Sequence, residues 1–75
     1  MNKRIEINPK IMVGKPVIKG TRIPVYLIVK LVGQGQTFDQ ILKDYPQLTR
    51  EDIKAALDYA GQTLAGEEVL PLMKK

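Results

Sequence analysis

The stretch that decides the fold runs from Gly14 to Val25 and reads Gly-Lys-Pro-Val-Ile-Lys-Gly-Thr-Arg-Ile-Pro-Val. Its two glycines can take positive φ without steric cost, whereas its two prolines fix φ and donate no hydrogen bond. The β-branched pair Val17 and Ile18 favours a short extended segment. Pro24 fits the first turn of a helix, where a missing N–H leaves nothing unsatisfied. We therefore predict a small β-structured segment, called the elbow below, that leads into a helix.

The chain is short and lacks the residues that staple small domains. It has 75 residues, no cysteine and no histidine, so we expect one domain held by neither disulfides nor zinc. A domain of this size buries only about 60–65% of its unfolded surface, so we expect a homodimer to add stability. No apolar run reaches the roughly 18 residues of a membrane span and no signal-peptide segment is evident, which predicts a cytoplasmic protein that does not bind membranes.

Positive charge is concentrated in the first half of the sequence. Residues 1–30 carry seven cations and one acid, a net charge of +6, whereas residues 31–75 carry five cations and seven acids, a net charge of −2. This asymmetry predicts one surface for a polyanion and a second surface for a different partner. The alternative is that the cations only keep the protein soluble.

Short apolar runs precede and enter the elbow. Ile5–Ile7 alternates apolar and polar residues before Asn8–Pro9 interrupts it, which predicts a short edge strand. Ile11–Val13 is a second apolar run, and we expect it to join Val17–Ile18 in a small ribbon. A ribbon this small is barely stable alone, so pairing with a second chain is a hypothesis.

A first helix is predicted from Pro24 to Val32. Its residues are apolar almost all round, so it must be covered on more than one side, in the core or in a subunit contact. Tyr26 and Lys30 are its expected surface residues. The glycines of the Gly33–Gly35 segment predict its end.

Two further helices begin at recognisable caps. Thr37 and Gln40 form a capping box that starts the second helix, which ends before the proline that follows Tyr45. Thr49 caps the third helix, and Asp52 stands in the reciprocal position. The third helix should bury one stripe of apolar residues, comprising Ile53, Ala56, Leu57, Ala60 and Leu64.

Two capped helices joined by a tight turn, after a packing helix, are the elements of a helix-turn-helix. A plain three-helix bundle fits the same pattern. If DNA is bound, the third helix would offer Arg50 and Lys54, while Glu51 and Asp52 at its start would repel phosphates. The candidate DNA-binding residues are the cations of the elbow and of this helix, namely Lys15, Lys19, Arg22, Arg50 and Lys54.

The sequence does not predict an enzyme. Without histidine or cysteine, the candidate groups are carboxylates, lysines and tyrosines, and no catalytic residue, metal ligand or cofactor site is predicted. The phosphate-loop spacing is absent around Gly20. We expect the helix carboxylates to be exposed, and these are Asp39, Asp44, Glu51, Asp52 and Asp58.

An apolar tail follows the predicted helices, which divides the chain into a domain at residues 1–65 and a tail at residues 66–75. The sequence leaves three alternatives open for this tail: it folds back on the helices, it binds another chain, or it has no fixed structure. The candidate partner-binding residues are Val69, Leu70, Leu72, Met73, Lys74 and Lys75.

Three motifs in order, at residues 14–25, 33–37 and 44–60, strongly resemble a prokaryotic family, the domain-of-unknown-function family DUF433. The resemblance covers roughly residues 5–64. It implies a mainly α fold, a three-helix homeodomain-like helix-turn-helix with a short N-terminal β element. It also implies a VapB-like antitoxin of a type II toxin–antitoxin pair, whose neighbouring gene often encodes a PIN-like ribonuclease toxin.

Joined to the residue patterns, the resemblance gives a hypothesis of mechanism. A dimer would bind operator DNA through the elbow and the third helix and would repress its own operon. The tail would hold the toxin, with Lys74 and Lys75 near the acidic metal site of the nuclease. The alternative is a protein-interaction module that binds the nuclease without binding DNA.

Overall fold

The computed structural model describes residues 3–67 as a mainly helical fold with two short strands. Its elements in chain order are β1 (Ile5–Glu6), β2 (Val17–Ile18), α1 (Val25–Gly33), α2 (Phe38–Asp44) and α3 (Arg50–Glu67). The three helices and the short antiparallel β element confirm the predicted mainly α class. No helix within residues 3–67 combines the length and the hydropathy that a bilayer crossing requires.

The two strands form a minimal antiparallel pair in which Ile5 lies opposite Ile18 and Glu6 opposite Val17. The predicted edge strand at the N-terminus is therefore confirmed, although it is only two residues long. Ile5, Val17 and Ile18 are all buried, so this ribbon is part of the hydrophobic core.

After β2, the remaining residues of the elbow fold back on that strand before α1 begins. The Ile18 N–H donates to the Ile23 carbonyl at 2.9 Å, and the Val25 N–H donates to the Pro16 carbonyl at 2.9 Å. Gly20, at φ +83°, supplies the left-handed residue that the turn between them requires. These bonds fix where α1 starts, with Pro24 as its N-cap, one residue later than predicted.

The core is aliphatic, and both strands and all three helices contribute side chains to it. Its largest fully buried side chains come from β2 and from each helix, namely Val17, Ile18, Ile28, Ile41 and Ile53. Burying one such side chain contributes roughly 1.5–3 kcal/mol. α3 packs mainly against α1, and α2 closes one side of that pair.

The predicted caps of α2 and α3 are both confirmed. The Thr37 hydroxyl accepts from the Gln40 N–H at 3.1 Å, and the Gln40 side chain accepts from the Thr37 N–H at 2.8 Å. Thr49 and Asp52 make the same exchange at 3.1 and 3.0 Å. The starts of both helices are therefore fixed by residues three positions apart.

The apolar run Ile11–Val13 is not a strand, so that prediction is wrong. Met12–Gly14 is a 3-10 turn, and both Met12 and Val13 are left-handed, at φ 51° and 55°. The chain must reverse between β1 and β2, and this requirement overrides the β preference of Val13. The Val13 side chain is left 91% exposed.

The stripe predicted for α3 is correct near its start and wrong near its end. Ile53 and Ala56 are buried as expected, but Leu64 is 65% exposed. α3 has 18 residues and α1 only nine, so residues 61–66 extend past the helix that covers the first turns.

α1 is only partly covered by its own chain. Val25 and Ile28 are its buried residues, whereas Leu27, Val29, Leu31 and Val32 are half-buried. Tyr26 and Lys30 are exposed, as predicted.

Replacing Val13 with asparagine should stabilise the protein. A left-handed L-residue costs roughly 1–2 kcal/mol, least for asparagine, and the exposed valine side chain has little packing to lose. We expect the Val13→Asn variant to raise the free energy of unfolding by about 1 kcal/mol in urea denaturation. The Val13→Ala control keeps the left-handed penalty and should change stability by less. A less stable Val13→Asn variant would contradict the assigned backbone conformation.

Candidate nucleic-acid interface

The turn between α2 and α3 is anchored in the core. α2 ends where the Tyr45 N–H donates to the Ile41 carbonyl, and the Leu48 N–H donates to the Tyr45 carbonyl at 2.9 Å. Pro46 prevents the helix from continuing. Because Leu48 is buried, the start of α3 is held in a fixed relation to α2.

Asp52 is a buried carboxylate, and the expectation that it is exposed is wrong. It is 7% exposed, and one of its oxygens caps the Thr49 N–H. Its other oxygen accepts from the Arg4 guanidinium at 2.9 Å. A charged group in this position requires such partners, because burying it unpaired would be costly. Asp52 therefore presents little negative charge to a ligand at the start of α3.

Arg4 joins the N-terminal strand region to α3, and no pattern in the sequence singles it out. Its side chain, 48% exposed, reaches Asp52. Its carbonyl accepts from the Lys19 N–H in the elbow at 2.7 Å. The capping box identifies Asp52, but the choice of Arg4 as its partner depends on the tertiary fold.

Arg50 connects the first turns of α2 and α3. Its guanidinium donates to the Asp39 carboxylate at 2.9 Å and lies 5.6 Å from the centre of the Phe38 ring. Both members of the ion pair are exposed, so the pair contributes little to stability, typically about 0–1 kcal/mol. Arg50 therefore stays accessible, with one carboxylate competing for it.

Lys54 lies one turn further along α3, on the rim of a shallow surface depression. The depression is lined by two cations, two acids and one small residue, namely Arg4, Glu51, Lys54, Ala55 and Asp58. These opposite charges balance, so the depression is not a phosphate pocket. Its polar rim instead offers both donors and acceptors.

The three elbow cations, Lys15, Lys19 and Arg22, are all exposed. The Lys15 ammonium lies 5.8 Å from the centre of the Tyr26 ring on α1. Thr21 fixes the turn beside Arg22, because its hydroxyl donates to the Ile18 carbonyl at 2.7 Å and accepts from the Ile23 N–H at 3.0 Å.

The five predicted DNA-binding residues thus form two groups, one on the elbow and one at the start of α3. Arg4 links the two groups through its contacts with Lys19 and Asp52. Within residues 3–67 no three acidic side chains cluster as a metal site would require. The predicted partner-binding residues lie outside the described residues, and these are Val69, Leu70, Leu72, Met73, Lys74 and Lys75.

A family model described as "Protein of unknown function (DUF433)" matches residues 5–60, which include both strands and most of α3. The chain belongs to the DUF433 family. A DUF433 member from Anabaena variabilis, for which there is a crystal structure, is 41% identical in sequence to this DUF433 chain. The two structures superpose with a TM-score of 0.75. The match covers 79% of this chain and 58% of that one.

Two uncharacterized proteins are also similar to this DUF433 chain. The protein y4eO of Sinorhizobium fredii is 40% identical over 53 residues, which are 71% of this chain and 24% of y4eO. A protein of Archaeoglobus fulgidus is 59% identical over 29 residues, 39% of this chain and 81% of that protein. This chain therefore spans about a quarter of y4eO.

The Arg4–Asp52 pair should be a main determinant of stability. The Asp52→Asn change loses the partly buried ion pair and weakens the α3 cap, so we expect the free energy of unfolding to fall by about 2 kcal/mol. Urea denaturation of the Arg4→Gln, Asp52→Asn and double variants would measure the coupling, which we expect to be about 1 kcal/mol or more. The exposed Arg50–Asp39 pair serves as a matched cycle and should give less than about 0.5 kcal/mol. Equal coupling in the two cycles would refute the role given to Asp52.

Proposed function

We propose that the protein is the antitoxin of a type II toxin–antitoxin pair. In this proposal it binds operator DNA through a homeodomain-like helix-turn-helix, represses its own operon, and neutralises a PIN-like ribonuclease by direct binding. The antitoxin part is carried over from the family resemblance. The DNA-binding part is argued from the α2–α3 geometry.

One observation carries the DNA-binding proposal. Two capped helices are joined by a core-anchored turn, and Arg50 and Lys54 are exposed on the first two turns of the second helix. In a helix-turn-helix, this end of the second helix enters the major groove. Of the two acids at the start of this helix, Asp52 is buried and paired with Arg4, whereas Glu51 is exposed.

The elbow supplies phosphate contacts in this proposal. Lys15, Lys19 and Arg22 are exposed, and the sequence has no acidic residue between Glu6 and Asp39 to oppose them. Such contacts provide affinity without reading bases, and they weaken as salt rises.

We include a homodimer in the proposal because α1 presents apolar side chains that its own chain covers only in part. Leu27 and Leu31 are half-buried there. Helix-turn-helix dimers place two reading helices about one DNA turn apart, roughly 34–36 Å. A dimer would therefore also double the number of base and phosphate contacts.

Removing the two α3 cations should weaken DNA binding. We expect the Arg50→Gln/Lys54→Gln variant to bind the DNA upstream of its own gene at least about tenfold more weakly than the wild type in a gel-shift titration. The slope of log affinity against log salt should fall by about 0.9 for each lost phosphate contact, which is roughly 2 for each bound protomer and roughly 4 for the dimer.

A matched control variant distinguishes the loss of a DNA contact from a general loss of positive charge. The Lys30→Gln/Lys43→Gln variant removes two exposed helical cations outside the proposed interface and should retain most of the affinity. Equal losses in the two variants would remove α3 from the interface.

The tail is the proposed toxin-binding segment. A chain truncated after Gly66 should lose capture of the protein encoded by the adjacent gene, because it lacks the apolar residues 69–73 and the lysines 74 and 75. Co-purification of the two proteins would measure capture, with DNA binding by the truncated chain as the folding control. Undiminished capture would exclude the tail from the interface.

A second candidate function is a module that binds a nuclease without binding DNA. The observation that favours it is the acidic character of the helices beside the candidate interface, where Asp39 engages Arg50 and Glu51 and Asp58 flank Lys54. The gel-shift titration above distinguishes the two functions, because only the antitoxin that represses its operon would select operator DNA.

A further inference from the structure

We propose that Val13 is an apolar wedge that inserts between base pairs of duplex DNA from the minor groove, with Lys10 and Lys15 on the flanking phosphates. This inference rests on the proposed DNA binding but concerns a different part of the molecule from α3. It assigns a role to the exposed side chain of Val13, which the packing of the fold does not require.

The Met12–Gly14 turn holds Val13 in a costly conformation. Three successive residues are left-handed, at φ 51°, 55° and 81°. Glycine adopts such a backbone readily and a β-branched residue rarely does. The turn is nevertheless closed by two backbone hydrogen bonds of 3.0 Å, from the Gly14 N–H to the Ile11 carbonyl and from the Lys15 N–H to the Met12 carbonyl.

The turn is also anchored on its N-terminal side. The Asn8 side chain accepts from the Lys10 N–H at 2.8 Å, and its carbonyl accepts from the Ile11 N–H at 2.8 Å. Asn8 thereby orders the chain that leads into the left-handed residues. The apolar tip is thus presented by a turn that local hydrogen bonds define on both sides.

Val13 contributes almost nothing to the core, since its side chain is 91% exposed. The neighbouring Met12 is half-buried, so the turn directs one apolar residue inward and the other outward. A valine side chain has few rotamers and loses little entropy when it is enclosed. Val13 is therefore well suited to enter a narrow apolar slot on a partner.

The sequence neighbours of Val13 favour a polyanionic partner. Lys10 and Lys15 are exposed within three residues of it, and no acidic residue occurs between Glu6 and Asp39. A duplex offers an apolar slot between two rows of phosphates when a base step opens. Minor-groove proteins use apolar side chains in this way, flanked by cations, and kink the duplex.

The test uses the full chain and the DNA upstream of its own gene. Duplexes carrying 2-aminopurine at successive positions report unstacking as increased fluorescence, and end-labelled duplexes report bending by energy transfer. We expect the wild type to unstack one step and bend the duplex. The Val13→Asn variant, which suits the left-handed backbone, should lose both signals while binding about 3–10-fold more weakly.

Leu64→Gln is the matched control, because it removes an exposed apolar side chain far along α3. It should leave both signals unchanged. Wild-type binding without unstacking, or signals that persist in Val13→Asn, would overturn the wedge and leave the proposed function standing. If the wild type binds no duplex, the proposed DNA binding fails and the wedge fails with it. Loss of capture of the adjacent gene's product in Val13→Asn would then assign Val13 to a protein contact.

Discussion

The Asp52 carboxylate is held almost out of water by groups from two distant parts of the chain. Thr49 supplies a backbone N–H at the start of α3, and Arg4 supplies a guanidinium from beside β1. Removal of either partner would leave part of the buried charge unsatisfied, so these contacts favour the observed docking of the N-terminal strand on α3. The elbow is positioned in turn, because β2 pairs with β1 and the Lys19 N–H donates to the Arg4 carbonyl.

The Arg4–Asp52 pair also shapes the electrostatics of the candidate interface. Of the two acids at the start of α3, Asp52 is buried in structural contacts and only Glu51 is exposed. The cations divide into an elbow group on irregular backbone and an α3 group on a rigid helix. Phosphate contact tolerates both kinds of placement, whereas reading base edges requires the rigid helix. In the proposed DNA binding, the elbow group is therefore suited to phosphate contact and the α3 group also to reading bases.

Within residues 3–67, two apolar features are covered by their own chain only in part or hardly at all. α1 keeps a half-buried aliphatic arc, and the Met12–Gly14 turn exposes Val13 on a left-handed backbone. A domain of this size has too few residues to cover every apolar surface. The two features differ in their surroundings, because Val13 stands among lysines and the α1 arc is broad and aliphatic. In the proposals above, the turn therefore contacts a polyanion and the helix contacts a second copy of the chain.

The sequence by itself determined the local structure. The caps of α2 and α3, the glycine turn of the elbow and the extended Val17–Ile18 pair depend on hydrogen bonds and φ preferences within a few residues, so they could be predicted. The tertiary structure alone decided that Asp52 is buried, that Arg4 is its partner 48 residues away, and that Leu64 and Val13 face water. The physical reason is that burial and ion pairing depend on which distant segments meet. A local pattern gives a residue's preference, but not the neighbour that satisfies or overrides it.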